Sequence, residues 1–322
     1  MDKISSALLL LVAIPACSDS SIALSDVAAA AADAVCTYQA RCGEMPDVAS
    51  CKAARSSDVE QSMADVNAGR IKYDGKAAAT CLDAIRSQSC NYSDQSVESE
   101  PQACKDVSRG TVADNGVCYS GSECVSGRGC SGRVCPGSIT TCCPGKCNPG
   151  ASSAAAIPIG GDCGVSGVAC VSGAFCANGS PSTCTAKAAM GQPCDIGYPS
   201  DSCVDGAYCV TNGPNTGTCG KLPAHGQTCY PTGVVYRPAC DSMLDYCDST
   251  SLKCVPRIPV GGNCSPGASC VDYATCDSTT GRCVAQPLAG EACDDTNGLR
   301  CLGSLLCSSG ICALPPAPAV CP

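Results

Sequence analysis

The chain has 322 residues, 35 of them cysteine (about 11%), with no tryptophan, one phenylalanine and a net charge of −9. Cysteine at that density marks a disulfide scaffold rather than a domain held by a large apolar core, and it excludes a reducing cytosol as the working compartment. Twenty Lys and Arg residues are scattered among 29 acidic ones, so no basic stripe is suited to a nucleic-acid backbone and no nucleic-acid partner is expected.

Residues 1–16 read as a signal peptide: Met1-Asp2-Lys3 is a weak start, and Ile4 to Ile14 is an apolar run too short to span a bilayer. The run ends Ile14-Pro15-Ala16-Cys17, which resembles the bacterial lipobox. That resemblance implies a lipid on Cys17, a lipidated tether over 17–25 and the membrane as a partner. Cleavage by ordinary signal peptidase, or an unprocessed Cys17 in the apolar segment, is the alternative. Ser18 follows where aspartate would retain the protein at the inner membrane, so the outer membrane is favoured. With Cys17 set aside, 34 cysteines remain, an even number that can pair completely.

Residues 26–106 read as a small disulfide-stapled helical domain. Ser25-Asp26 can cap a helix running to Arg41, with Gly43 just past its end. Ser57 and Glu60 form a capping box for a helix stopping at Gly69. Asp74 can cap a third helix to Arg86, and Ser99-Glu100-Pro101-Gln102 starts a short fourth. Cys36, Cys42, Cys51, Cys81, Cys90 and Cys104 suffice for three bridges, in a pairing that spacing leaves open.

From residue 107 the composition turns to Gly, Ser, Pro, Asn, Asp and Thr, and the expected fold is a tandem of small disulfide-rich modules with little regular structure. Residues 107–150 hold the first module, Cys118, Cys124, Cys130 and Cys135, followed by an insertion with Cys142-Cys143 adjacent and then Cys147. A spacer covers 151–159. Residues 160–312 hold five further quartets: Cys163, Cys170, Cys176 and Cys184; Cys194, Cys203, Cys209 and Cys219; Cys229, Cys240, Cys247 and Cys254; Cys264, Cys270, Cys276 and Cys283; Cys293, Cys301, Cys307 and Cys312. A proline-rich tail, 313–322, carries Cys321, which either folds back or bonds another chain.

Five residues separate the second and third cysteines in five units and six in the other, whereas the first gap varies from five to ten. Four times the step from a fourth cysteine to the next first one is ten, with glycine three places before the latter (Gly191, Gly226, Gly261, Gly290). Free linkers vary cheaply in length, so a constant step predicts a junction of defined conformation and an elongated, rod-like array. Recent duplication would also preserve it. The segment from third to fourth cysteine reads as a hairpin. The residue after the second cysteine (Val125, Val171, Val204, Val271, Leu302) and the one before the third (Phe175, Tyr208, Tyr246, Leu306) are expected to pack on the cystines. First-to-third and second-to-fourth bridging is the favoured one of three arrangements.

These Gly-x-x-Cys openings and Cys-x5-Cys centres, over about 110–312, resemble Dickkopf N-terminal-like and EB-module-like cysteine repeats. Residues 36–118, with Tyr73-Asp74, Cys81-Leu82-Asp83-Ala84-Ile85 and Gly110-Thr111-Val112-Ala113-Asp114, are similar to the N-terminal part of cysteine-rich lipoproteins of the myxobacterial type. The resemblances imply a cell-surface lipoprotein and transfer no mechanism.

No residue set suits catalysis. His225, the single histidine, sits in a junction beside Gly226, where a solvated linker role is expected. Cys-x2-Cys zinc spacing is absent, and oxidised sulfur is no thiolate ligand, so no metal or cofactor is expected. Asp294-Asp295-Thr296-Asn297-Gly298 lacks the alternation of a calcium loop and reads as a turn. Cys142 and Cys143 are expected to bond different partners rather than each other. The chain is therefore read as a non-enzymatic envelope lipoprotein whose disulfide-braced rod serves adhesion, recognition or spacing, with a protein or glycan ligand. The alternative is a secreted inhibitor or ligand-capturing protein whose first loops, such as Asp195 to Ser202 and Tyr230 to Ala239, insert into a target.

Overall fold

The computed structural model describes residues 20–55, 59–94, 102–127, 129–132, 142–149, 157–164, 170–171, 173–177, 181–194, 202–204, 206–213, 216–229, 240–264, 268–294, 300–315 and 320–321. Its helices all lie in the first third of the chain: α1 (Val27–Arg41), α2 (Val48–Ala53), α3 (Val59–Asn67) and, after strand β1 (Ile71–Tyr73), α4 (Gly75–Ser87). Gln102–Asp106 forms a 3-10 turn, and β2 (Ser108–Gly110) returns antiparallel to β1. None of the described helices is long and apolar enough to cross a membrane.

The caps obey local chemistry. Asp74 accepts hydrogen bonds from the Lys76 and Ala77 amides, satisfying donors that the first turn of α4 leaves open. Asp47 does the same for α2 through the Ser50 amide, a helix the sequence reading missed because it is only six residues long. Asp26 does not cap α1: its own backbone is already near-helical (φ −102°, ψ −11°), which turns the carboxylate away from the amides. Gly43 and Gly69 stand just past α1 and α3 at φ 72° and 73°, where an L side chain would be strained. Ser57, the Glu60 side chain and Ser99 to Pro101 lie outside the described residues.

Beyond β2 the structure consists of cystine-centred hairpins. In the first module β3 (Val117–Cys118) and β4 (Cys130–Ser131) both pair with β5 (Gly145–Cys147). The second has β6 (Ala174–Ala177) with β7 (Thr183–Ala186). The third adds β8 (Pro193–Cys194) to β9 (Tyr208–Gly213) and β10 (Thr216–Gly220). The last three are plain hairpins: β11 (Asp245–Asp248) with β12 (Lys253–Pro256), β13 (Ala274–Asp277) with β14 (Arg282–Ala285), and β15 (Leu306–Ser308) with β16 (Ile311–Ala313).

In all five later modules the third and fourth cysteines face each other across the hairpin (Cys176 and Cys184, for example), yet each bonds into the preceding loop. First joins third and second joins fourth, as in Cys264–Cys276 and Cys270–Cys283. The first module corrects the sequence reading. Cys118 bonds Cys130, but Cys124 bonds Cys147 rather than Cys135, and Cys147 takes the place opposite Cys130. Cys135 lies outside the described residues. The helical segment carries Cys36–Cys51, Cys42–Cys90 and Cys81–Cys104.

The junctions explain the constant step of ten. Each module is closed by a strap of its own upstream residues. Counting back from the first cysteine, the residue at −3 donates its amide to the fourth cysteine's carbonyl at 2.7–2.8 Å in all six modules. That residue is Gly160, Gly191, Gly226, Gly261 or Gly290 at φ 76–88°, and Asn115 at φ 62° in the first module. It is the third residue of a turn closed from −2 to −5, such as Gly262 to Pro259, where positive φ selects glycine or asparagine. The carbonyl at −6 accepts the amide after the second cysteine in all six, such as Val271 to Ile258. The residue at −7 bonds backwards into the preceding module in three junctions: Lys187 to Gly173, Arg257 to Leu244 and Gln286 to Tyr273. In these three junctions two modules claim successive residues of one strap, and no slack remains for length change.

Positions −6 and −2 are matched as well. Where −6 is β-branched (Val112, Ile157, Ile258), −2 is Gly116, Gly161 or Gly262, and a Cβ there would lie only 2.5–2.7 Å from the branched side chain. Where −6 is Ala188, Pro223 or Pro287, −2 is Gln192, Gln227 or Glu291. The freed space then has a use: Gln227 and Glu291 accept from the amides of Ala224 and Leu288 at 2.9 and 2.7 Å. In the second and fifth modules that residue is proline, with no amide to satisfy.

Two expectations are corrected. The aliphatic and aromatic flanks do not all pack on cystines: Phe175 and Leu302 are buried, but Val125, Val204 and Leu306 are exposed, because paired sulfur already fills the small interior. Nor does the array stand clear of the helices as a rod. Leu302 and Leu305 of the sixth module join Cys36, Met45, Cys51 and Ala54 in one cluster, with Tyr273 of the fifth against it. The Ser304 hydroxyl and amide both donate to the Ala54 carbonyl. In the fourth module Met243 donates its amide to Cys90, and Tyr92 donates to Asp241; Tyr208 of the third reaches the Tyr92 carbonyl at 2.7 Å. Cys36, Met45, Cys51 and Ala54 thus complete their burial against these modules, whereas Ala34, Cys81 and Leu82 form a separate core with Ile22, Ile85 and Val107 inside the helical segment.

Candidate functional site

A buried charge cluster forms where the helical segment, the first module and the tail meet. Arg70 leaves the turn after α3, held by its amide to the Asp65 carbonyl at 2.8 Å, and reaches inward as β1 begins. Its Nη2 lies 2.7 Å from Asp65 Oδ1 and its Nε 3.2 Å from Glu123 Oε1, the latter an ion pair without hydrogen-bond alignment. Both acids are essentially inaccessible, Asp65 at 1% and Glu123 at 0%. The Tyr119 amide donates to Glu123 Oε2 at 2.9 Å, and the guanidinium stacks 5.3 Å from the Tyr119 ring centre. Arg70 Nη2 also donates to the Cys321 carbonyl at 3.3 Å.

Two buried carboxylates around one cation leave charge in excess. Burial pushes the Glu123 carboxyl above the ordinary carboxylate range, and Asp65 adds to that against the Tyr119 amide and Arg70. Burial works against the Arg70 charge, yet Asp65 and Glu123 outweigh it and hold the guanidinium above its usual value. Chemically this is a clamp that ties three segments together, with the Ser120 hydroxyl donating to Asp65 Oδ2 at 3.4 Å beside it. None of its side chains was singled out in the sequence, because Asp65, Arg70 and Glu123 carry no motif.

The expected site residues sit as follows. Three sulfurs converge in each of the first five modules, such as Cys264, Cys270 and Cys283, but every described cysteine is in a disulfide and offers no thiolate. His225 is not a bare linker residue: its Nδ1 lies 3.3 Å from the carboxylate of buried Asp245, while the ring stays mostly exposed. Cys142 bonds Cys321, so the tail folds back and no vicinal bond forms with Cys143, which is separately bonded. Cys17, residues 295–299 of the Asp294 turn, and the loops 195–201 and 230–239 lie outside the described residues. Cys147 as the partner of Cys124 was missed because Cys135 stands at the spacing of a fourth cysteine.

Comparison of the chain with protein families, with curated proteins and with solved structures finds no match.

Proposed function

We propose that the chain is a non-enzymatic cell-envelope lipoprotein, held by a lipid on Cys17 and facing outward, with the outer membrane as its place. It presents a disulfide-braced modular array, folded against a helical segment, for adhesion, recognition or structural spacing. The observation that carries this reading is that all described cysteines are oxidised, in modules closed by one repeated pair of bridges. Such a molecule keeps its shape only where thiols are not held reduced. Its ligand is a protein or glycan, and its repeats belong with the Dickkopf N-terminal-like and EB-module-like type in a lipoprotein of the myxobacterial kind.

The test is mass spectrometry of the N-terminal peptide with fractionation of whole cells. The expected result is a lipid-modified Cys17 in the membrane fraction and release into the medium for Cys17→Ser. Wild-type protein found free in the medium, with an unmodified N-terminus and activity against a protease or receptor, would overturn it in favour of the secreted inhibitor.

A further inference from the structure

The bridge Cys142–Cys321 differs from every other described bridge in two independent ways. It joins residues 179 apart, whereas the others lie within a module or the helical segment and span at most 48. It is also the one described bridge with neither cysteine buried; each of the other fifteen has at least one buried partner. Exchange requires a thiolate to approach in line with the S–S bond, so access selects which bridge reacts.

We propose that Cys142–Cys321 is a thiol-exchange site that takes a dithiol reductant and releases the C-terminal tail. A thiolate of the dithiol attacks the sulfur of Cys321; a new S–S bond forms, the Cys142–Cys321 bond breaks, and its electron pair leaves on Cys142. The second thiol of the reductant then attacks its own bonded sulfur and expels the Cys321 thiolate. Both thiolates take protons from water, the bridge gains two electrons, and the dithiol becomes a disulfide. The outcome is local, because the modules keep their own bridges. It removes the Cys321 carbonyl from Arg70 and leaves that side chain to Asp65 and Glu123.

The experiment is graded reduction of the intact protein with dithiothreitol, alkylation at each step, and peptide mass spectrometry. Cys142 and Cys321 are expected to label about tenfold faster than any other described cysteine, and carboxypeptidase is expected to trim the tail only after that step. A module or helical bridge opening first or in the same phase would overturn the proposal. In Cys142→Ser/Cys321→Ser, which leaves no unpaired partner, the fast phase is expected to vanish while the remaining bridges label at the wild-type rate. A fast phase that persists in the double variant would equally overturn it.

Discussion

Arg70 balances two inaccessible acids, and that arrangement dictates how its removal behaves. Arg70→Met strands Asp65 and Glu123 without their cation, an expected cost of about 3–5 kcal/mol in denaturant unfolding. Glu123 has the opposite sign in pH. Its folded-state affinity for a proton is raised, so its contribution to stability is present at low pH and is lost as pH rises from the ordinary carboxylate range through the raised value. Glu123→Gln should therefore flatten the pH dependence of the unfolding midpoint in that window; an unchanged slope would show that another group titrates there. Tyr208 behaves alike at the alkaline end. Burial, with Asp241 second, pushes its hydroxyl up to about 12 while it donates to Tyr92. Stability should fall as pH climbs from the usual tyrosine range toward that value, and Tyr208→Phe should remove the drop at a cost of about 1 kcal/mol for the lost hydrogen bond.

The strap is the element on which the repeats depend. Gly262→Gln should loosen the fifth module, since its Cβ would fall 2.6 Å from Ile258, and Ile258→Ala/Gly262→Gln should restore protection by reproducing the Ala188 and Gln192 pairing. Hydrogen exchange at the Cys283 amide, which bonds the Gly262 carbonyl, reads both. Hairpins between third and fourth cysteines were legible because turn residues and spacing act locally. So was a defined junction, because a constant step is the trace of hydrogen bonds that tolerate no slack. The fourth cysteine of the first module was not legible: Cys135 sits at an ordinary spacing, and the pairing of Cys147 opposite Cys130 depends on a strand contact that spacing does not encode.

At the scale of the whole molecule, residues of α1 and α2 and of the sixth module share one interior. Leu302→Ala is expected to cost about 2–4 kcal/mol, and to raise hydrogen exchange in α1 and α2 as well as in the sixth module. Exchange confined to the sixth module would mean that the two regions are not thermodynamically coupled. This packing was invisible in the sequence. Met45 is far along the chain from Leu302 and Leu305, and no period links the two stretches. Sulfur pairing announces itself by composition, whereas a seam made from isolated side chains does not.

Because a closing strap lies upstream of the cysteines it secures, the heritable unit starts just after one quartet ends. A copying event whose breakpoint fell at a first cysteine would part a lock from its key. One falling a few residues past a fourth cysteine would transplant both together, so this protein can gain or shed whole repeats only along that seam.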